Sequence, residues 1–164
     1  MASDTEEIIR QVTMTLHKKV RGVIQILRPE LPLAAGMCVV IGQLLALGAA
    51  PPPDALILGF TTGFFLSASA LVTNDYFDLE VDRINAPQRL LPAGLLTLRE
   101  TMLLGLVLAL IGLAAAAIFG LLAFGLGFIV WLLGFLYNWK VKAMGLWGNL
   151  IVAGSVAFTF ILVP

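Results

Sequence analysis

Residues 55–83 read ALILGFTTGFFLSASALVTNDYFDLEVDR. Positions 55–73 carry no charge, and a helix of about 20 such residues crosses the hydrocarbon core of a bilayer. The segment then runs straight into Asn74, Asp75, Tyr76, Phe77, Asp78, Leu79, Glu80, Val81, Asp82 and Arg83. With Asn74 at zero and about 100° turned per residue, Asp75, Asp78 and Asp82 fall near 100°, 40° and 80°, and Glu80 points roughly opposite. A helix continuing out of this span therefore carries three carboxylates and a carboxamide on one stripe. Like charges at these spacings repel, and desolvation near a membrane adds to that cost. An all-oxygen face of this kind calls for a hard divalent cation such as Mg²⁺, which keeps waters and completes its shell with substrate phosphates.

The rest of the chain agrees with a membrane setting. Of 164 residues, 60% are hydrophobic and 12% charged, about half the charge of a soluble domain. Net charge is zero, which excludes nucleic-acid binding by bulk charge, so the placement of the few charges is the informative quantity. Cys38 is the single cysteine, so a disulfide scaffold is excluded. His17 is the single histidine and sits among Lys18, Lys19 and Arg21, so it reads as surface. The apolar runs predict an all-α, multi-pass transmembrane bundle with five spans, near 31–49, 55–74, 102–119, 121–138 and 146–163. Ahead of them, residues 5–28 predict an amphipathic helix lying at the membrane interface, with Ile8, Val12, Leu16, Val23 and Leu27 at helical spacing. The chain thus divides into an interfacial segment, 1–28, and a membrane domain, 29–164. Gly59 and Gly63, at GxxxG spacing, predict a close helix crossing.

All ten basic residues lie ahead of the first span, between the second and third, or between the fourth and fifth. The positive-inside rule then puts the N-terminus and the carboxylate stripe on the cytoplasmic side of the cell membrane. Arg83 and Arg89 follow the stripe, and Lys140 and Lys142 occupy the next loop on the same side. Carboxylates that hold Mg²⁺, beside cations that meet phosphate oxygens, make a pocket for a diphosphate. Its place at the rim of an apolar bundle gives that diphosphate an apolar tail.

The motifs resemble those of the UbiA superfamily of intramembrane prenyltransferases. Residues 74–82 match its first Asp-rich motif, NDxxDxxxD, and Asn85-Ala86-Pro87-Gln88-Arg89 with Pro92 and Gly94 is similar to the loop that follows it. Leu90 stands where the family often has proline. Tyr137, Lys142, Gly148 and Asn149 resemble the family's YxxxxK…GN signature, and Arg28-Pro29 resembles the pair that opens its first membrane helix. The resemblance implies that Asp75, Asp78 and Asp82 hold Mg²⁺ and act in catalysis. It also implies that Asn74, Arg89, Lys142, Arg28, Tyr137 and Asn149 bind the substrate. The implied substrate is a prenyl diphosphate, geranylgeranyl diphosphate first. The implied acceptor is a membrane-associated lipid glycerol phosphate, geranylgeranylglyceryl phosphate first, with aromatic rings next. Phe64, Phe65, Tyr76, Trp131 and Phe135 are candidates for a dry lining, and equally for ordinary packing.

In one respect the chain departs from the pattern. Family members have about nine membrane helices and a second Asp-rich motif, whereas no Asp or Glu follows Glu100 here. The expectation is a chain that represents the N-terminal half of a nine-helix fold, with a missing C-terminal half or self-association completing the site. An inactive half-bundle that binds a prenyl diphosphate or a partner chain, or a small transporter-like protein, are the competing readings. CDP-alcohol phosphotransferases, another Asp-rich membrane class, need an Asp-Gly pair that this sequence lacks.

Overall fold

At Arg28 the backbone turns with φ of 43°, a left-handed conformation that costs a residue bearing a Cβ. The turn separates a helical stretch over 22–27 from the first spanning helix. The structure, a computed structural model, describes Val20, residues 22–140 and Lys142. Helix α1, Glu30–Leu47, ends at Gly48, whose φ of 61° closes the last turn without steric penalty. Pro53 opens α2, Pro53–Phe77, at a position where its missing N–H loses nothing. Beyond a break at Asp78, α3 covers Leu79–Asn85. A loop leads to Thr97, which forms a reciprocal capping box with Glu100 and starts α4, Leu98–Phe119. Gly120 alone, with φ of 150°, joins α4 to α5, Leu121–Trp139.

Helices α1, α2, α4 and α5 are each long and apolar enough to span a membrane. They correspond to the first four expected spans. The expected fifth, 146–163, and most of the amphipathic helix over 5–28 lie outside the described residues. The turns bring the start of α1, the end of α2, the start of α4 and the end of α5 to one end of the bundle.

Helix α2 is the centre of the bundle, packed most extensively on α4 and α1 and also against α5. Lipid is as apolar as leucine, so close backbone approach and polar contacts must hold such helices together. Both are present. A Cβ on Gly63 would lie 2.9 Å from the Ala35 carbonyl oxygen and 3.2 Å from Gly36 Cα, so the GxxxG spacing serves the α1–α2 crossing. Gly63→Val is expected to lower stability by about 1–3 kcal/mol through forced separation of the two helices, read as an earlier midpoint in SDS titration of the detergent-solubilised protein. On the other side, Gly105 meets Thr73 and Gly112 meets Leu66. Buried Ser69 donates to the Gly105 carbonyl at 2.8 Å and accepts from the Trp131 indole at 3.2 Å, which ties α2, α4 and α5 together. No residue of α5 is buried, and its outer face is lined by exposed leucines.

Candidate functional site

The acidic motif sits where α2 gives way to α3. Asp78 breaks the helix with φ of −86° and ψ of 1°, correcting the expected unbroken continuation. The break is mild, because Asp78 N–H still donates to the Asn74 carbonyl and Asp82 N–H to that of Asp78. The shared face therefore survives. Glu80 lies off it, exposed and paired with Arg83 at 2.7 Å.

Instead of forming one group, the stripe divides between two cationic centres. Asp75 and Asp82 are buried, and both turn toward Arg89, whose Nη1 lies 2.7 Å from Asp82 Oδ2 and 3.8 Å from Asp75 Oδ1. Arg28 Nη2 meets the same Asp75 oxygen at 2.9 Å. Asn74 and Asp78 form the second centre. The Asn74 carboxamide donates to Asp78 Oδ2 at 3.0 Å, and Lys142 Nζ donates to Asn74 Oδ1 at 3.1 Å and to Asp78 Oδ2. The hydrogen bond to Asp82, with the nearby charges of Asp82, Asp75 and Asp78, pushes the Arg89 pKa above the ordinary arginine value, so Arg89 stays a cation.

Sequence spacing thus brings Arg28, Asn74, Asp75, Asp78, Asp82, Arg89 and Lys142 into one neighbourhood. Tyr137 is half-buried on the last turn of α5 and has no polar partner among the described residues. Asn149 lies outside them. The adjacent Asn138 bonds to the Ala70 carbonyl at 3.2 Å and docks the end of α5 on α2.

Two features carry no sequence signal. The loop after Asn85 folds back over the site because Leu90, Leu91 and Leu96 are buried in a core with Ile26, Ala68, Val72 and Leu108. Leu90, where proline was the family expectation, packs onto Gly22 so closely that a Cβ there would clash with it. Beneath this loop is a cavity of about 250 Å³ lined by Gln25, Ile26, Arg28, Asp75, Gln88, Arg89 and Leu90.

Aromatic rings run from the bundle toward the acids. Phe124, Phe128, Trp131 and Phe135 follow one another along α5 at centroid spacings of 6.2, 6.1 and 5.9 Å. Phe77 continues the series at 5.6 Å from Phe135, and Tyr76 at 5.1 Å from Phe77. Phe64 stacks on Phe60 and meets Phe65 edge-on within α2, and Phe65 packs against the core.

Among the described residues, no three His, Cys, Asp or Glu side chains converge into a metal cage. Mg²⁺ does not require one, since it is commonly held by one or two carboxylates, with waters and substrate phosphates filling the shell. Asp75 and Asp82 already turn oxygens toward one positive charge, that of Arg89. The donor set therefore suits Mg²⁺ in company with a diphosphate.

The chain is thus a membrane-type helical bundle with an acidic helix break ringed by arginine and lysine, and comparison gives its family. The chain belongs to the UbiA prenyltransferase family, whose model matches residues 35–163. Similar proteins include the digeranylgeranylglyceryl phosphate synthases of Thermococcus gammatolerans, 38% identical, and Pyrococcus furiosus, 37% identical. Each match takes in 86% of this chain and 51% of the relative. The chain spans about half the length of these curated relatives. A solved structure from work on the biosynthesis of digeranylgeranylglyceryl phosphate synthase in membranes superposes with a TM-score of 0.81 at 29% identity, covering 87% of this chain and 51% of that one.

Proposed function

We propose that this chain supplies the prenyl-diphosphate half of a site that moves a geranylgeranyl group onto geranylgeranylglyceryl phosphate at the cytoplasmic face of the membrane. The observation that carries the reading is the arrangement of Asn74, Asp75, Asp78 and Asp82 against Arg28, Arg89 and Lys142 at one end of an apolar bundle. Similarity to synthases of digeranylgeranylglyceryl phosphate supports the choice of acceptor.

In this reading Asp75, Asp78 and Asp82, with Asn74, would hold Mg²⁺ together with the diphosphate. The chemistry the metal supplies is neutralisation of charge on the departing diphosphate. Lys142 and Arg89 exchange their carboxylate partners for phosphate oxygens, which are equally good acceptors for charged donors. The allylic C–O bond breaks with its electron pair leaving on the diphosphate. The acceptor's hydroxyl oxygen then forms the new C–O bond, and its proton passes to water or to the released diphosphate. The ring series from Phe124 to Tyr76 gives the isoprenoid an apolar path to the acids, and its faces favour a passing cation over water.

The test is transfer of label from radiolabelled geranylgeranyl diphosphate to geranylgeranylglyceryl phosphate by membranes that carry the protein. Label is expected in the lipid product with Mg²⁺ and none after EDTA, with recovery when Mg²⁺ is restored. Transfer that continues undiminished under chelation contradicts the reading. The competing idea of an inactive half-bundle predicts Mg²⁺-dependent binding of the diphosphate with no product.

A further inference from the structure

We infer that Ser69 is a positioning residue. Its hydrogen bond to Trp131 fixes the indole at a level that only a prenyl chain of more than two isoprene units passes, which makes Trp131 the ring that tells long chains from short ones. The inference rests on the function proposed above, in which the ring series is the isoprenoid's path. Neither side chain belongs to the acidic motif or to its cationic partners.

Ser69 is wholly buried, so no water competes for its hydroxyl. Its one O–H goes to the Gly105 carbonyl at 2.8 Å, which leaves only lone pairs for a second contact. The Trp131 indole N–H, a donor and never an acceptor, meets them at 3.2 Å. Each group fills the one role that the other leaves open.

Phe128 and Phe135 flank Trp131 in the series at 6.1 and 5.9 Å. A phenyl ring presents the same outline when it turns over. An indole does not, because turning it over exchanges its five-membered ring for its six-membered one. The torsion that carries such a ring is broad and roughly two-fold, and the bond from Nε1 to Ser69 selects one orientation. Among the four rings of the series on α5, Trp131 alone has an N–H by which it can be tethered.

Ser69 precedes Asp75 by six residues and Asp78 by nine, which at 1.5 Å per residue places it about 9–14 Å from the acids along α2. An isoprene unit adds four chain bonds where an extended residue adds three in about 3.5 Å, so each unit reaches roughly 4–5 Å. The indole therefore stands opposite the second or third unit. Geranyl, with two units, ends at or short of it, and geranylgeranyl, with four, runs past it.

The test is equilibrium binding of radiolabelled geranylgeranyl and geranyl diphosphates, with Mg²⁺, to the detergent-solubilised protein, read as the ratio of the two affinities. Ser69→Ala should lower the preference for geranylgeranyl about threefold to tenfold, the scale of a well-placed aromatic contact. Trp131→Phe, which keeps a ring and loses the N–H, should lower it by a similar factor. Adding Ser69→Ala to Trp131→Phe should lower the ratio no further, although the tie to Gly105 is then lost and the SDS unfolding midpoint falls. A purely structural Ser69 would instead act equally in both backgrounds. Thr62→Val removes a hydroxyl of α2 that bonds within its own helix, to the Leu58 carbonyl at 2.9 Å, and should leave the ratio unchanged. In the Trp139→Phe/Trp147→Phe protein, where Trp131 is the remaining tryptophan, Ser69→Ala should shift the indole emission to shorter wavelength, a readout that needs no ligand. The inference is overturned if Ser69→Ala leaves the ratio or the emission unchanged, if it lowers the ratio as much in the Trp131→Phe background, or if neither diphosphate binds. If the ratio and the emission behave as expected but no product forms in the transfer assay, the proposed function fails and the positioning role of Ser69 stands.

Discussion

Asp78→Asn should reduce prenyl transfer by about two to three orders of magnitude, the scale seen when one preorganised electrostatic contact to a reacting group is removed. The replacement is nearly isosteric, so its effect comes from charge. Asp78 Oδ2 accepts from both the Asn74 carboxamide and Lys142, and it sits at the helix break with no part in the bundle core. Membrane insertion and the SDS unfolding midpoint should therefore be unchanged. Glu80→Gln is the matched control. Its carboxylate is exposed and bonded to Arg83, away from the shared face, and transfer should stay within about twofold of the unaltered protein, as surface charge changes commonly do. Equal activity of the two variants, measured in the Mg²⁺-dependent transfer assay, would remove Asp78 from the site.

The second large effect is on stability. Arg89→Leu takes the positive charge from two buried carboxylates at once, Asp82 at 2.7 Å and Asp75 at 3.8 Å. Breaking a buried ion pair by removing one partner costs about 3–5 kcal/mol. The Arg89 side chain is 40% exposed, so solvent screens part of this, and a loss of about 2 kcal/mol is expected. The double variant Arg89→Leu/Asp82→Asn should recover more than half of that loss, because it removes the stranded charge along with its partner. SDS titration of the four proteins in this cycle gives the coupling directly. The hydrogen bond to Asp82 raises the pKa of Arg89. A raised folded-state value for a cation means stability that is present at all lower pH and is lost only above the arginine range. Arg89's contribution should accordingly be constant from about pH 7 to about pH 9.

Much of the site was legible because helical periodicity is a local property. The spacing of Asn74, Asp75, Asp78 and Asp82 fixed their common face even though the helix breaks at Asp78, since the backbone hydrogen bonds through that residue remain helical in spacing. The four described spans were legible for the same reason, as length and apolarity are written along the chain. Three features depended on tertiary contacts that no local pattern encodes. The division of the stripe between Arg89 and Lys142 arises from where the loop after Asn85 and the end of α5 come to rest. That loop is placed by Leu90 against Gly22 and by Leu91 and Leu96 in the core. The cavity with Gln25 and Gln88 exists only once this folding back has happened, and a glutamine in a loop gives no sign of it. Ser69, a small residue within the charge-free run, joins three helices through contacts that its neighbours in sequence do not reveal.

The most direct test of the central claim is Mg²⁺-dependent binding of radiolabelled geranylgeranyl diphosphate to the detergent-solubilised protein, compared with its Asp78→Asn variant. The arrangement of carboxylates and cations around Asp78 predicts saturable binding with Mg²⁺, loss of that binding under EDTA, and a weakening of at least about tenfold in the variant. Binding that is indifferent to both the metal and the substitution would contradict it.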